Sequence, residues 1–350
     1  MENEAGASSS STDFSAPLSI MPPPPTSSVT NLIENDGTQA SGGIDVPSNV
    51  RNLRDIMKYS TEMTNVSDDS VIDLTLCDEK KNFFTNVLSS MTVNVQEEMH
   101  NSINILLDSN KTANELEYAF DVLAEYIDNI DYANDFQKLG GFQIFIPGLK
   151  SEHKSVRCKT AEVIATLVQN NPYCQDKFIE HPSYIRLLIS LIEKDTIDEV
   201  RVKGLHAISS LVRDNVAVFW KFIGFSGNDL VVNALKSSNE KLMIKAAFLI
   251  YSTCLMGNDI ANMYVDNGVV EIICSIIMNM KNSLEDYHHE LLLSTLNQLL
   301  QMSPIRVKEI CFKVEDFKPA LLALHDSYPN DSNYQDEKDE IVCLMKNLNI

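Results

Sequence analysis

The run HHELLL at residues 288–293 opens like the HExxH helix that holds zinc with two histidines and uses its glutamate as a base. The position that needs the second histidine is Leu293, so this run cannot close such a site. The seven histidines fall into no other ligand spacing. Seven cysteines (Cys77, Cys158, Cys174, Cys254, Cys274, Cys311, Cys343) are scattered, odd in number and without a CxxC pair. They read as small buried hydrophobes in a reducing compartment, not as a disulfide framework. The LGG at 139–141 and the glycine of GND at 227–229 read as turns, because a phosphate loop needs a different spacing. Ser209 and Ser210 have no base that the sequence places beside them. The expectation is a non-enzyme with no catalytic residues, no cofactor and no metal.

Charge is the chemistry that recurs. Lys159, Lys203 and Lys245 occupy one position in KSVRCKTAEVIATLVQNN (154–171), DEVRVKGLHAISSLVRDN (198–215) and KLMIKAAFLIYSTC (241–254). Lysine near a helix start opposes the helix dipole, so the dipole does not explain the repetition. Two readings stand: pairing with acids of neighbouring helices, or a basic strip for an acidic protein surface.

Three lysines in register require three helices in register. The first two stretches align without a gap at a separation of 44 residues. At 100° per residue, Val156, Thr160, Ile164, Leu167 and Val168 fall on one side, which must be the core. Glu162, Thr166 and Gln169 point the other way. The matching positions are His206, Ser210 and Arg213 in the next helix, Phe248, Ser252 and Leu255 in the third, and Ser294, Gln298 and Gln301 in the fourth. A preceding helix, ELEYAFDVLAEYIDNI, supplies Asp121, Glu125 and Asp128.

Each long helix is preceded by a shared plan. An aromatic (Phe136, Phe178, Phe222, Tyr264) is followed within five residues by a helix breaker (Gly141, Pro182, Gly227, Gly268), then by an apolar helix. The unit is three helices in about 42 residues, the length of an armadillo repeat. The expected fold is all-α, an armadillo-like right-handed helical solenoid of about four repeats with capping helices. Its stacked third helices would line a concave surface, with the varying positions facing a partner. Trp220, in the short helix VFWKFIG, reads as core packing.

Residues 1–50 are rich in Ser, Pro and small residues and hold six acids and no base, which predicts a disordered tail. Residues 51–112 read as an N-terminal helical capping region, 113–303 as the repeats and 304–350 as C-terminal capping helices. In the capping region Leu53, Ile56 and Met57 suggest a short helix, and Phe83 to Leu106 keep helical spacing. The formal charge of −21 argues against nucleic acid or an anionic membrane as the main partner. MENEAGAS lacks the basic and apolar regions of a secretory signal, no run is long and apolar enough for a membrane span, and the expected location is the cytosol.

EVRVKGLHAISSLVRDN, RNLRDIM, IDNIDYANDFQKLGG, KLMIKAAFL and YQDEKDEIVCLMKNL together resemble the Hsp70-binding protein 1/Fes1 family of armadillo-type Hsp70 nucleotide exchange factors. The resemblance runs in order from about Arg51 to Ile350. It implies a monomeric co-chaperone whose partner is a cytosolic Hsp70, clasped at its nucleotide-binding domain so that ADP is released. It implies no cofactor and no nucleotide site on the exchange factor itself. The expected contacts are the outward positions: Lys159, Glu162, Thr166 and Gln169; Lys203, His206, Ser210 and Arg213; Lys245, Phe248 and Ser252.

The alternative is an armadillo adaptor or scaffold that grips another protein or an extended peptide. That mode needs an Asn ladder on the third helices with Trp pockets beside it. The corresponding positions read Glu125, Thr166, Ser210, Ser252 and Gln298, and none has a Trp neighbour.

Overall fold

In the computed structural model, which describes residues 94–279, 289–328 and 334–350, the described elements are helices throughout. They lie in the unit Asp78–Ile350. The tail, the short helix expected around Leu53–Met57 and the apolar positions of 83–91 lie outside the described residues.

The first helices are α1 (Val95–Leu107) and α2 (Ala113–Ile127). The first repeat is α3 (Ile130–Lys138), a 3₁₀ turn at Gly141–Ile144 running into α4 (Phe145–Leu149), and α5 (Lys154–Val168). The second is α6 (Pro172–Ile179), α7 (Pro182–Lys194) and α8 (Asp198–Val212); the third is α9 (Val216–Ile223), α10 (Gly227–Leu235) and α11 (Glu240–Cys254). The fourth is α12 (Asn258–Asp266), α13 (Val269–Asn279) and α14 (His289–Met302). Three helices follow: α15 (Pro304–Lys313), α16 (Phe317–Ser327) and α17 (Gln335–Leu348).

Local chemistry sets the boundaries. Thr112 and Glu115 form a capping box, the Glu115 carboxylate accepting from the Thr112 backbone N–H at 2.9 Å. After α5 and α8 the chain turns through a left-handed residue, Asn170 (φ 53) or Asp214 (φ 59). The next residue, Asn171 or Asn215, then caps the following short helix, accepting from Cys174 N at 3.2 Å or Val218 N at 3.1 Å. Those paired residues, NN and DN in sequence, are the corner of the repeat.

In the first and third repeats the aromatic-then-breaker pattern is a close approach. A Cβ on Gly141 would sit 2.4 Å from the Phe136 ring, and one on Gly227 would sit 2.5 Å from the Phe222 ring. Glycine therefore lets the chain turn directly over a fully buried aromatic. Phe142, Phe145, Phe178 and Tyr184 stack next to Phe136, with Phe142 and Phe145 centroids 4.9 Å apart. Val156, Thr160, Ile164, Leu167 and Val168 are all buried, as their angles predict. Trp220 is not: it is 41% exposed, held edge-on to Phe219, because α9 spends its inward face on Val218, Phe219 and Phe222.

The arginines shared by the aligned stretches are structural. Arg157 grips Asp195 through two nitrogens (2.7 and 3.2 Å) and reaches the carbonyls of Ser151 and Glu152. Arg201, its counterpart, donates to the Ile192 carbonyl at 2.8 Å. Arg157 ties the loop before α5 to the loop before α8, and Arg201 ties α8 to the end of α7. The long helices then stack side by side in one row: α2, α5, α8, α11, α14 and finally α17.

Candidate functional site

The outward edge of that row is a sequence of ion pairs that stops. Lys159 on α5 pairs with Asp121 on α2. Lys203 on α8 pairs with Glu162 on α5. Each lysine thus meets the acid at one repeated position of the helix before it. Lys245 on α11 occupies the next place, but the residue it would meet on α8 is His206. Among the described residues Lys245 has no carboxylate within ion-pair reach. Of the two readings the sequence leaves open, pairing with neighbouring acids holds for Lys159 and Lys203, while among the described residues Lys245 meets no such acid.

Around the break lies a cationic cluster. Lys245 is half-buried, and its pKa is pushed down by burial first and by Lys203 and Arg213 next. His206 is likewise pushed down, by burial and then by Lys245, Lys203 and Arg213, with Glu162 opposing. The Arg213 guanidinium lies over the Phe248 ring, 5.6 Å from its centroid. The backbone under Arg213 is fixed from outside α8. Buried Gln175 donates to the carbonyls of Ser210 and Arg213, both at 3.3 Å, and accepts from Asn215 at 2.9 Å. Among the described residues the only acid in ion-pair range of Arg213 is the exposed Asp214, at 3.9 Å. Lys245 and Arg213 thus lie together with His206 and the Glu162-paired Lys203, with Arg213 over the Phe248 ring.

The predicted residues divide. Lys203, His206, Arg213, Lys245 and Phe248 come together, all partly exposed. Lys159, Glu162 and Thr166 sit one helix away on α5, and Gln169 is exposed at its end. Ser210 (2% exposed) and Ser252 (8%) are corrected from surface to interior. Their short side chains lie below the strip that side-by-side stacking leaves open, and the Ser252 hydroxyl bonds back to the Leu249 carbonyl at 3.2 Å.

A second feature was missed by sequence reasoning. Between α14 and α17, with Tyr251 of α11 at its side, runs a groove of about 370 Å³. Ser294, Gln298 and Gln301 line it, on the register read for the fourth repeat. Its other wall is acidic, from the run QDEKDE at 335–340. That run was legible as charge; its place beside α14 was not.

Residues 49–136 match the family described as nucleotide exchange factor Fes1, and residues 132–267 match the SIL1/FES1/HPBP1 C-terminal domain. Hsp70-binding protein 1 of Rattus norvegicus is 29% identical over 196 residues, covering 56% of this chain and 54% of the rat protein. The Hsp70 nucleotide exchange factor FES1 of Eremothecium gossypii is 31% identical over 157 residues, 44% of this chain and 54% of its own. The chain thus matches about half the length of these relatives. Among solved structures, a designed armadillo repeat protein superposes with a TM-score of 0.57 at 15% identity, over 71% of this chain and 99% of its own. The likeness places the fold among armadillo solenoids. Two domain matches in consecutive order, together spanning residues 49–267, make this chain a member of the SIL1/FES1/HPBP1 family.

Proposed function

We propose that the protein is a monomeric co-chaperone that binds the nucleotide-binding domain of a cytosolic Hsp70 along the row of long helices and promotes ADP release. The observation that carries this reading is the ordered pair of family matches, exchange factor Fes1 first and the shared C-terminal domain after it. The cationic cluster supplies the contact: Lys203, His206, Arg213 and Lys245 above Phe248 would meet an acidic patch of the chaperone.

The physics is linkage. A binder that prefers the open nucleotide-binding domain lowers ADP affinity by the same factor by which ADP lowers its own. No step of bond chemistry falls on the exchange factor, so the reading is of a non-enzyme. The test is stopped-flow release of a fluorescent ADP analogue from a cytosolic Hsp70 with increasing amounts of the full chain. Dose-dependent acceleration is expected. Arg213→Glu with Lys245→Glu should weaken binding by about a hundredfold while the helical CD signal stays unchanged. A wild-type chain that neither accelerates release nor binds Hsp70 overturns the reading and leaves an armadillo scaffold for another partner.

A further inference from the structure

The cationic cluster leaves the groove between α14 and α17 unexplained. Glu290, Asp336, Asp339 and Glu340 line it, and among the described residues no lysine or arginine does. Among the described residues no such group has the geometry to hold a metal ion. One of the carboxylates is held in place. Glu340 accepts from the Ser294 hydroxyl at 2.8 Å and from Asn297 Nδ2 at 2.6 Å, and the same Nδ2 reaches the Glu340 carbonyl at 2.9 Å.

Those bonds fix the Asn297 amide, because turning it would set its oxygen against a carboxylate. The amide oxygen is then committed to the other side. Asn297 lines the groove, is 3% exposed, and its Oδ1 has no donor. A buried acceptor without a donor costs stability unless something donates to it. Burial, then the charges of Asp336, Glu337 and Glu340, push the Glu290 pKa up.

We propose that this groove receives an arginine side chain projected by the protein that lies along the row of long helices. A guanidinium offers five N–H donors in a plane, enough to serve Asn297 Oδ1 and two carboxylates at once. An ammonium is a point charge with three donors and serves the set less completely. The row then carries two complementary contacts, the cationic cluster on α8 and α11 and a guanidinium slot between α14 and α17. Their separation fixes the orientation of the partner. That the partner is Hsp70 rests on the proposed function; the slot itself does not.

The direct test is an NMR titration of the full chain with Nα-acetyl-arginine amide, following the side-chain amide of Asn297, with the lysine counterpart in parallel. A saturable shift is expected, larger for arginine than for lysine and lost in Glu290→Gln/Asp336→Asn/Asp339→Asn, which leaves the Glu340 latch intact. The same triple variant should bind the Hsp70 nucleotide-binding domain about tenfold more weakly. No shift with arginine, an equal shift with lysine, or a shift that survives in the triple variant overturns the slot. An arginine-specific shift in a chain that fails to bind Hsp70 sustains the slot and overturns the Hsp70 reading instead.

Discussion

At the scale of single residues, the ladder of ion pairs carries one substitution. Asp121 and Glu162 answer Lys159 and Lys203, and His206 stands where the next acid would be. An acid at 206 would quench Lys245; an imidazole beside three cations instead stays neutral. Its pKa lies below the ordinary 6.5 in the folded chain, through burial and then the charges of Lys245, Lys203 and Arg213. In the window between the two values the unfolded chain binds more protons than the folded one. The stability tied to neutral His206 is therefore complete above pH 6.5 and declines as pH falls below it. Replacing Lys245 by Met removes the largest repelling charge, so the His206 midpoint should rise toward 6.5. NMR titration of the imidazole in both proteins checks this. A wild-type midpoint at or above 6.5 would mean the four groups do not share one cluster.

At the scale of elements, the first and third repeats turn on an aromatic covered by a glycine. Alanine at 227 would place a methyl 2.5 Å from the buried Phe222 ring, and the overpacking should cost about 1–3 kcal/mol. Thermal unfolding of Gly227→Ala should show that loss, and Phe222→Leu in the same chain should recover part of it; an unshifted Tm contradicts the close approach. This element was legible before any coordinates, because aromatic and breaker recur four or five residues apart in each repeat. So was the core stripe of α5, which follows from a period of 3.6 residues. What lay beyond the sequence was the depth of a residue within the stack. Ser210 and Ser252 have the right angle to face a partner, yet stacking hides a side chain as short as serine while Lys203 and Arg213 reach past their neighbours. Trp220 fails in the opposite sense, since a large apolar side chain was read as core although α9 had already filled its inward face. The α14–α17 groove pairs segments about forty residues apart outside the clear repeats, and only packing brings them together.

At the scale of the molecule, a chain of net charge −21 gathers cations on α8 and α11 and acids at the far end of the row. That division is kept only if neighbouring helices hold register, and each long helix is held mainly by the next. Gln175 bridges α6 to the end of α8, Arg157 binds the loop before α8, and Thr295 of α14 donates to the Ala247 carbonyl of α11 at 3.2 Å. Stability in such an array is a sum of units and interfaces, so damage should spread to neighbours and fade with distance. Ile208, fully buried in α8, is the place to strike: Ile208→Ala removes core volume at a cost of about 2–5 kcal/mol. Hydrogen exchange should then show lost protection in α5, α8 and α11, while α17, three steps along the row, keeps its own. The cationic cluster would loosen and the acidic groove would persist, which separates the two contacts experimentally. Equal loss of protection in every helix would instead show that the array unfolds as one body, and that neither contact can be altered without the other.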